Sequence, residues 1–109
     1  MNRAVYDRLV AVAKSRGLIT YAELGRVADL DISYLPDLDT LVRILEEIAL
    51  NEIEAGRPLL VVLVIREDIN MPAKGLFRFA KRHGLQKGND DVAFFTKELA
   101  RVYQAWTGD

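Results

Sequence analysis

Among its 109 residues the chain has no cysteine and a single histidine. That removes disulfide frameworks, thiol nucleophiles, zinc fingers and iron–sulfur clusters together, and His83 alone cannot build a multi-histidine metal site. No cofactor is expected. Prolines number only three, half the residues are apolar and 28% are charged, so enough surface can be buried to offset chain entropy. No apolar run approaches the roughly 20 residues of a membrane helix; the longest spans residues 59–65. The start, Met1-Asn2-Arg3-Ala4-Val5-Tyr6-Asp7, lacks the apolar stretch of a signal peptide. The expectation is a cytoplasmic protein without membrane contact, folded as a single domain over residues 1–109. A net charge of −1 also denies it the whole-molecule basic field of a dedicated nucleic-acid binder.

Within residues 1–16, Val5, Leu9, Val12 and Ala13 recur at helical spacing, and Gly17 is placed to end that helix in a left-handed conformation. Leu18-Ile19 then offers a short strand. Thr20-Tyr21-Ala22-Glu23 is a capping box that predicts a second helix from Thr20. Residues 29–37 are rich in turn formers. From Asp37 or Asp39, a stripe of Leu38, Leu41, Leu45, Ile48, Ala49 and Ile53 predicts a third helix, stopped by Gly56 and Pro58. The run 59–65 reads as a strand buried on both faces. A polar connection leads to a short helix carrying Leu76, Phe77, Phe79 and Ala80 and closed by Gly84. The last helix begins at Asn89 or Asp90, with Val92, Phe95, Leu99, Val102, Tyr103 and Trp106 on one face. This order predicts a helix-dominated α+β fold, with a winged-helix-like three-helix core, a small sheet and two C-terminal helices.

Charge is segregated along the chain. Residues 27–56 hold eight acids against Arg43 alone, a local charge of −7. Residues 73–88 hold Lys74, Arg78, Lys81, Arg82 and Lys87 with no acid, for +5, and the first 26 residues add +3. Solvated amphipathic helices would account for both segments. The alternative is a bipolar molecule whose basic side meets phosphate or an acidic partner and whose acidic side meets a basic surface, including that of a second copy.

The residues Gly17-Leu18-Ile19-Thr20-Tyr21-Ala22-Glu23-Leu24, followed by Val42-Arg43-Ile44, Pro58-Leu59-Leu60-Val61 and Gly75-Leu76 with Gly84, resemble the winged-helix domain of alkylguanine DNA alkyltransferases and their alkyltransferase-like relatives. The resemblance spans residues 16–84. It implies that Tyr21 matches a tyrosine contacting a DNA phosphate and Arg43 an arginine that takes the place of an extruded base. The family's Pro-Cys-His-Arg motif is absent, so alkyl acceptance is excluded, and Val42, Ile44, Glu46 and Glu47 replace the small residues of its recognition helix. The remainder, including Gly75-Leu76-Phe77 and the ending Leu99 to Trp106, is similar to small prokaryotic proteins without an assigned role.

Candidate catalytic groups are few. His83 follows Lys81-Arg82 at a helix end, where the dipole alone favours it. Glu67 and Asp68 follow the apolar run without the further carboxylates that a metal-dependent nuclease needs. A non-catalytic binding module is therefore expected. One reading has it act near nucleic acid through Tyr21, Arg43, Lys74, Arg78, Lys81, Arg82 and Lys87. The other is a protein-interaction module, a homodimer or adaptor, with Tyr103 and Trp106 as core or interface anchors.

Overall fold

Asn2 opens helix α1 (Arg3–Lys14) in the computed structural model, which describes residues 1–108. Its side-chain oxygen accepts from the Val5 N–H at 3.0 Å, filling one of the donors that a helix start leaves free. Val5, Leu9 and Ala13 bury along one face. At the far end the left-handed residue is Arg16 (φ 55°), not Gly17. Helix α5 (Asp91–Thr107) supplies the reason. Arg16 donates to Thr107 Oγ1 at 3.0 Å and lies 5.8 Å from the centre of the Tyr103 ring, while the Tyr103 hydroxyl donates to the Gly17 carbonyl at 2.6 Å. These contacts offset the steric cost of a side chain at positive φ.

Strand β1 (Ile19–Thr20) runs directly into α2 (Tyr21–Val27), and the expected capping box is complete. The Glu23 N–H donates to Thr20 Oγ1 at 3.1 Å and the Thr20 N–H to Glu23 Oε1 at 3.3 Å. Hydrogen bonds from the Thr20 hydroxyl and backbone hold the Glu23 carboxyl below its ordinary range. Gly25 lets the following connection fold back onto α2, since a Cβ there would stand 2.9 Å from Ile32 Cγ2. The Leu30 N–H donates to the Gly25 carbonyl at 2.8 Å across that approach. Asp31 staples the loop, accepting from the Ser33 N–H and hydroxyl while its own N–H donates to the Asp37 carboxylate.

Helix α3 (Leu35–Glu54) begins earlier than Asp37, inside the stretch expected to be turn. Pro36 sits in its first turn, where no N–H is required and the fixed φ suits a helix. Gly56 reverses the chain with φ 74°.

The run 59–65 departs from the strand expected of it. Only Val64–Ile65 forms a strand, β2, paired in parallel with β1 so that Ile19 faces Val64 and Thr20 faces Ile65. Leu60–Leu63 instead makes one 3-10 turn. A two-residue partner strand cannot satisfy a seven-residue ladder, so the buried backbone finds local acceptors. The Val62 N–H donates to the Leu59 carbonyl at 3.0 Å, and the Leu59 N–H to the Glu98 carboxylate at 2.8 Å. All seven residues are nonetheless buried, enclosed by α1, α3 and α5.

A tight turn joins Arg66 to Met71 through one antiparallel bridge, with Asn70 left-handed at φ 53°. Helix α4 (Lys74–Arg82) follows and ends at Gly84 (φ 71°), as its sequence predicts. Asp90 caps α5, accepting from the Ala93 N–H at 3.0 Å. Phe95 and Val102 of α5 are buried, but Val92 is 62% exposed, because the first turn meets the core through Phe94, which packs edge-on against Phe77. The architecture is helix-dominated α+β with a small two-stranded sheet.

Candidate interaction cleft

Helices α3 and α4 stand apart on one side of the core, leaving a cleft of about 460 Å³. Its walls follow from helical spacing. On α3 the apolar residues Leu38, Val42, Leu45 and Ala49 recur at intervals of three and four and face the gap. On α4, Gly75, Leu76 and Phe79 do the same, and buried Val61 of the 3-10 turn closes the base. Ile32, Tyr21, Ala73 and Arg66, the last engaged by Asp68, also line it. Volume and apolar character both suit a binding site.

The α3 edge of the cleft carries acids. Asp39 and Glu46 also border the cleft; they lie one step further round α3 from Val42, toward solvent. On α4, Arg82 and Arg78 lie outside the lining on the exposed face of the helix, with the Arg82 guanidinium 5.8 Å from the centre of the Phe79 ring. All four side chains are exposed. Among the described residues none of them, nor Lys74, has an opposite charge within 4.0 Å. The acids and the arginines do not reach across the gap to each other.

The residues singled out from the sequence fall into separate groups. Lys74, Arg78, Lys81 and Arg82 share the exposed face of α4. Lys81 is partly engaged, donating to Asn89 Oδ1 at 3.1 Å with the Asp91 carboxylate at 3.9 Å. Lys87 is exposed in the loop beyond. Arg43 is on the outer side of α3, beyond Asp39 and Glu46, away from the α4 group. Tyr21 sits half-buried at the cleft, its hydroxyl accepting from the Ala73 N–H at 3.2 Å. Burial raises its phenol above the usual range. Tyr21 thereby ties α2 to the approach to α4.

Tyr103 and Trp106 are half-buried and pack against the core. Tyr103 is bonded to Gly17, and Trp106 meets Tyr6 edge-on at 6.5 Å, with Arg57 5.8 Å from its ring centre. His83 is exposed and lies against Phe79 with 4.3 Å between ring centres. Asp68 is engaged by Arg66 in a two-pronged pair at 3.0 and 2.6 Å, and Glu67 is exposed beside it. No cluster of three metal-ligating side chains occurs among the described residues.

Sequence reasoning missed the cleft, yet a signal was present. Leu35, Val42 and Ala49 repeat every seventh residue beside Leu38 and Leu45, giving α3 an apolar stripe wider than one buried face. Its outer edge is uncovered: Leu35 is 70% and Val42 40% exposed. Comparison with protein-family models, curated proteins and solved structures returns no match for the chain.

Proposed function

We propose that the protein is a non-catalytic interaction module that docks a segment of a protein partner in the α3–α4 cleft. The observation that carries this reading is the cleft itself, an apolar trough open to solvent between α3 and α4, with Asp39 and Glu46 at its edge and without ion-pair partners among the described residues. Along α3 the trough runs from Leu38 to Ala49, about 16 Å at 1.5 Å per residue, which is three turns of a docked helix. A short helical peptide with an apolar stripe and uncharged flanks tests it. Backbone resonances of Val42, Leu76 and Phe79 should shift saturably on titration, and Val42→Glu should abolish the response. Equal binding by Val42→Glu, or no response at the cleft, overturns the reading.

One observation favours a second reading, in which the module acts near nucleic acid. Lys74, Arg78 and Arg82 form a basic stripe on one helix face without carboxylate partners among the described residues, the kind of surface that meets a phosphate backbone. The resemblance of residues 16–84 to a DNA-binding winged-helix domain, with Tyr21 and Arg43 as its counterparts, points the same way. Asp39 and Glu46 across the cleft oppose it, because carboxylates near phosphates weaken binding. A mobility-shift assay at low salt decides this reading: a shift of duplex or single-stranded probe lost in Arg78→Glu with Arg82→Glu supports it, and no shift dismisses it.

A further inference from the structure

Resting on the docking reading, we infer that the partner segment is an amphipathic helix with two bases seven positions apart along one flank, seated so that this flank meets Asp39 and Glu46 while the other passes closely over Gly75. The walls of the cleft decide that the occupant is a helix. Between their first and last turns α3 and α4 bond their own main chains, and neither β1 nor β2 lines the cleft. No strand edge is offered. An extended segment would bury main-chain donors and acceptors without partners, whereas a helix satisfies its own. Size agrees. A helix about 16 Å long and about 10 Å across occupies roughly 1,200 Å³, so a cleft of about 460 Å³ takes in its apolar stripe and leaves a flank at each rim.

The bases are called for by the lining itself. Asp39 and Glu46 are its acids, exposed, two turns or about 10 Å apart along α3, and without an opposite charge within 4.0 Å among the described residues. Arg66 is the one base in the lining, and Asp68 holds both of its prongs at 3.0 and 2.6 Å. Arg43 lies outside the lining, further round α3. The α3 edge therefore presents uncompensated negative charge. Helices lying side by side share one rise per residue, so Lys or Arg at i and i+7 of the occupant meets both carboxylates at once.

Gly75 supplies an observation independent of charge. It stands in the first turn of α4 with helical backbone, and a Cβ there would meet nothing within 4 Å. Glycine is less favourable than alanine inside a helix, yet neither backbone conformation nor packing within the chain requires it here. It lines the cleft. The missing side chain lowers the α4 rim beside Leu76, so that an incoming helix can approach without meeting a Cβ.

The test offers the intact protein three peptides of equal length with the same leucine stripe, carrying two lysines, two glutamines or two glutamates at i and i+7 of one flank. At low salt the lysine peptide should bind roughly three- to tenfold more tightly than the glutamine peptide, about what two exposed ion pairs supply, and the glutamate peptide more weakly than either. The differences should close as salt is raised toward about 1 M. Asp39→Asn with Glu46→Gln should bring the three affinities together without weakening the glutamine peptide. Gly75→Phe, at an exposed position, should weaken all three by about tenfold and leave thermal unfolding unchanged. A fourth peptide, the lysine one with a central proline that breaks its helix, should not bind. Equal affinity for the lysine and glutamine peptides overturns the basic-flank inference and leaves the docking reading standing. Undiminished binding to Gly75→Phe, or binding of the proline peptide, overturns the seating or the helical occupant in the same way. If no peptide shifts the Val42, Leu76 and Phe79 resonances, the docking reading falls and this inference with it. A concentration-dependent dimer in sedimentation that Val42→Glu dissociates would show that a second copy covers the cleft, and would overturn the inference.

Discussion

The two flanks of α3 handle charge in opposite ways. On the side facing α1 and α5, Glu52 is fully buried and its carboxylate is bonded by the Arg57 guanidinium, which also reaches the Tyr6 hydroxyl at 3.5 Å and lies over Trp106. Nearby, buried Glu98 accepts from the Leu59 N–H at 2.8 Å and is paired with Arg101. On the cleft side Asp39 and Glu46 are exposed and unpaired, as are the α4 arginines opposite. Carboxylates of the first kind are bonded to groups from other parts of the chain, and those of the second kind to none among the described residues. The contrast is not complete, because Trp106 Nε1 is buried without a hydrogen-bond partner on the well-paired side.

The strongest way to break this comparison is Arg57→Ala. Removing the guanidinium leaves the Glu52 carboxylate buried and uncompensated, which typically costs about 3 kcal/mol or more. Thermal unfolding should fall by at least about 10 °C. A loss below about 1 kcal/mol, less than the usual penalty for an unpaired buried charge, would show that the pair is incidental to stability. Next in size is Glu98→Ala, which strips the acceptor from a buried backbone N–H at Leu59 and should cost about 1–3 kcal/mol in denaturant titration.

How far the sequence discloses these two sides depends on the range of the interactions. The capping box at Thr20 and the left-handed Gly84 are readable because each is settled within a few residues. The run 59–65 is readable as buried but not as a 3-10 turn, since its conformation depends on the two-residue length of β1 and on the reach of Glu98 from α5. Glu52 counts in the sequence among the acids of a charged segment, yet it lies at 0% exposure because Arg57 arrives after the Gly56 turn. The cleft is the least legible feature. Which edge of the α3 stripe stays uncovered depends on where residues 66–73 deliver α4, and Tyr21 helps fix that through its bond to Ala73.

A smaller effect sharpens the comparison at a site far from either flank of α3. Thr20→Ala removes both the cap acceptor and the hydroxyl bonded to Glu23, and should cost about 1 kcal/mol. Its pH dependence has a definite sign. The Glu23 carboxyl is held below its ordinary value in the folded protein, so its contribution is present above the unfolded value and lost as pH falls through the folded one. The wild-type advantage over Thr20→Ala should therefore narrow on acidification through that range. An advantage that stays constant with pH would mean that the Thr20–Glu23 bond does not couple to folding.

The smallest expected effect carries the comparison furthest. Asp39→Lys with Glu46→Lys places two bases on the α3 edge of the cleft, in a molecule whose α4 carries Arg78 and Arg82. If these charges are as independent as their unpaired geometry implies, exposed substitutions of this kind should change stability by no more than about 0.5 kcal/mol, even though the charge on the α3 edge is reversed. A destabilisation well above that, relieved by added salt, would mean that the charges of the two helices attract each other across the gap and help set its width. The acids would then belong with Glu52 among the groups that maintain the fold, and the cleft would lose its standing as a surface awaiting a partner. Near-neutral stability gives the opposite result, a pair of carboxylates at the cleft edge that the fold does not need.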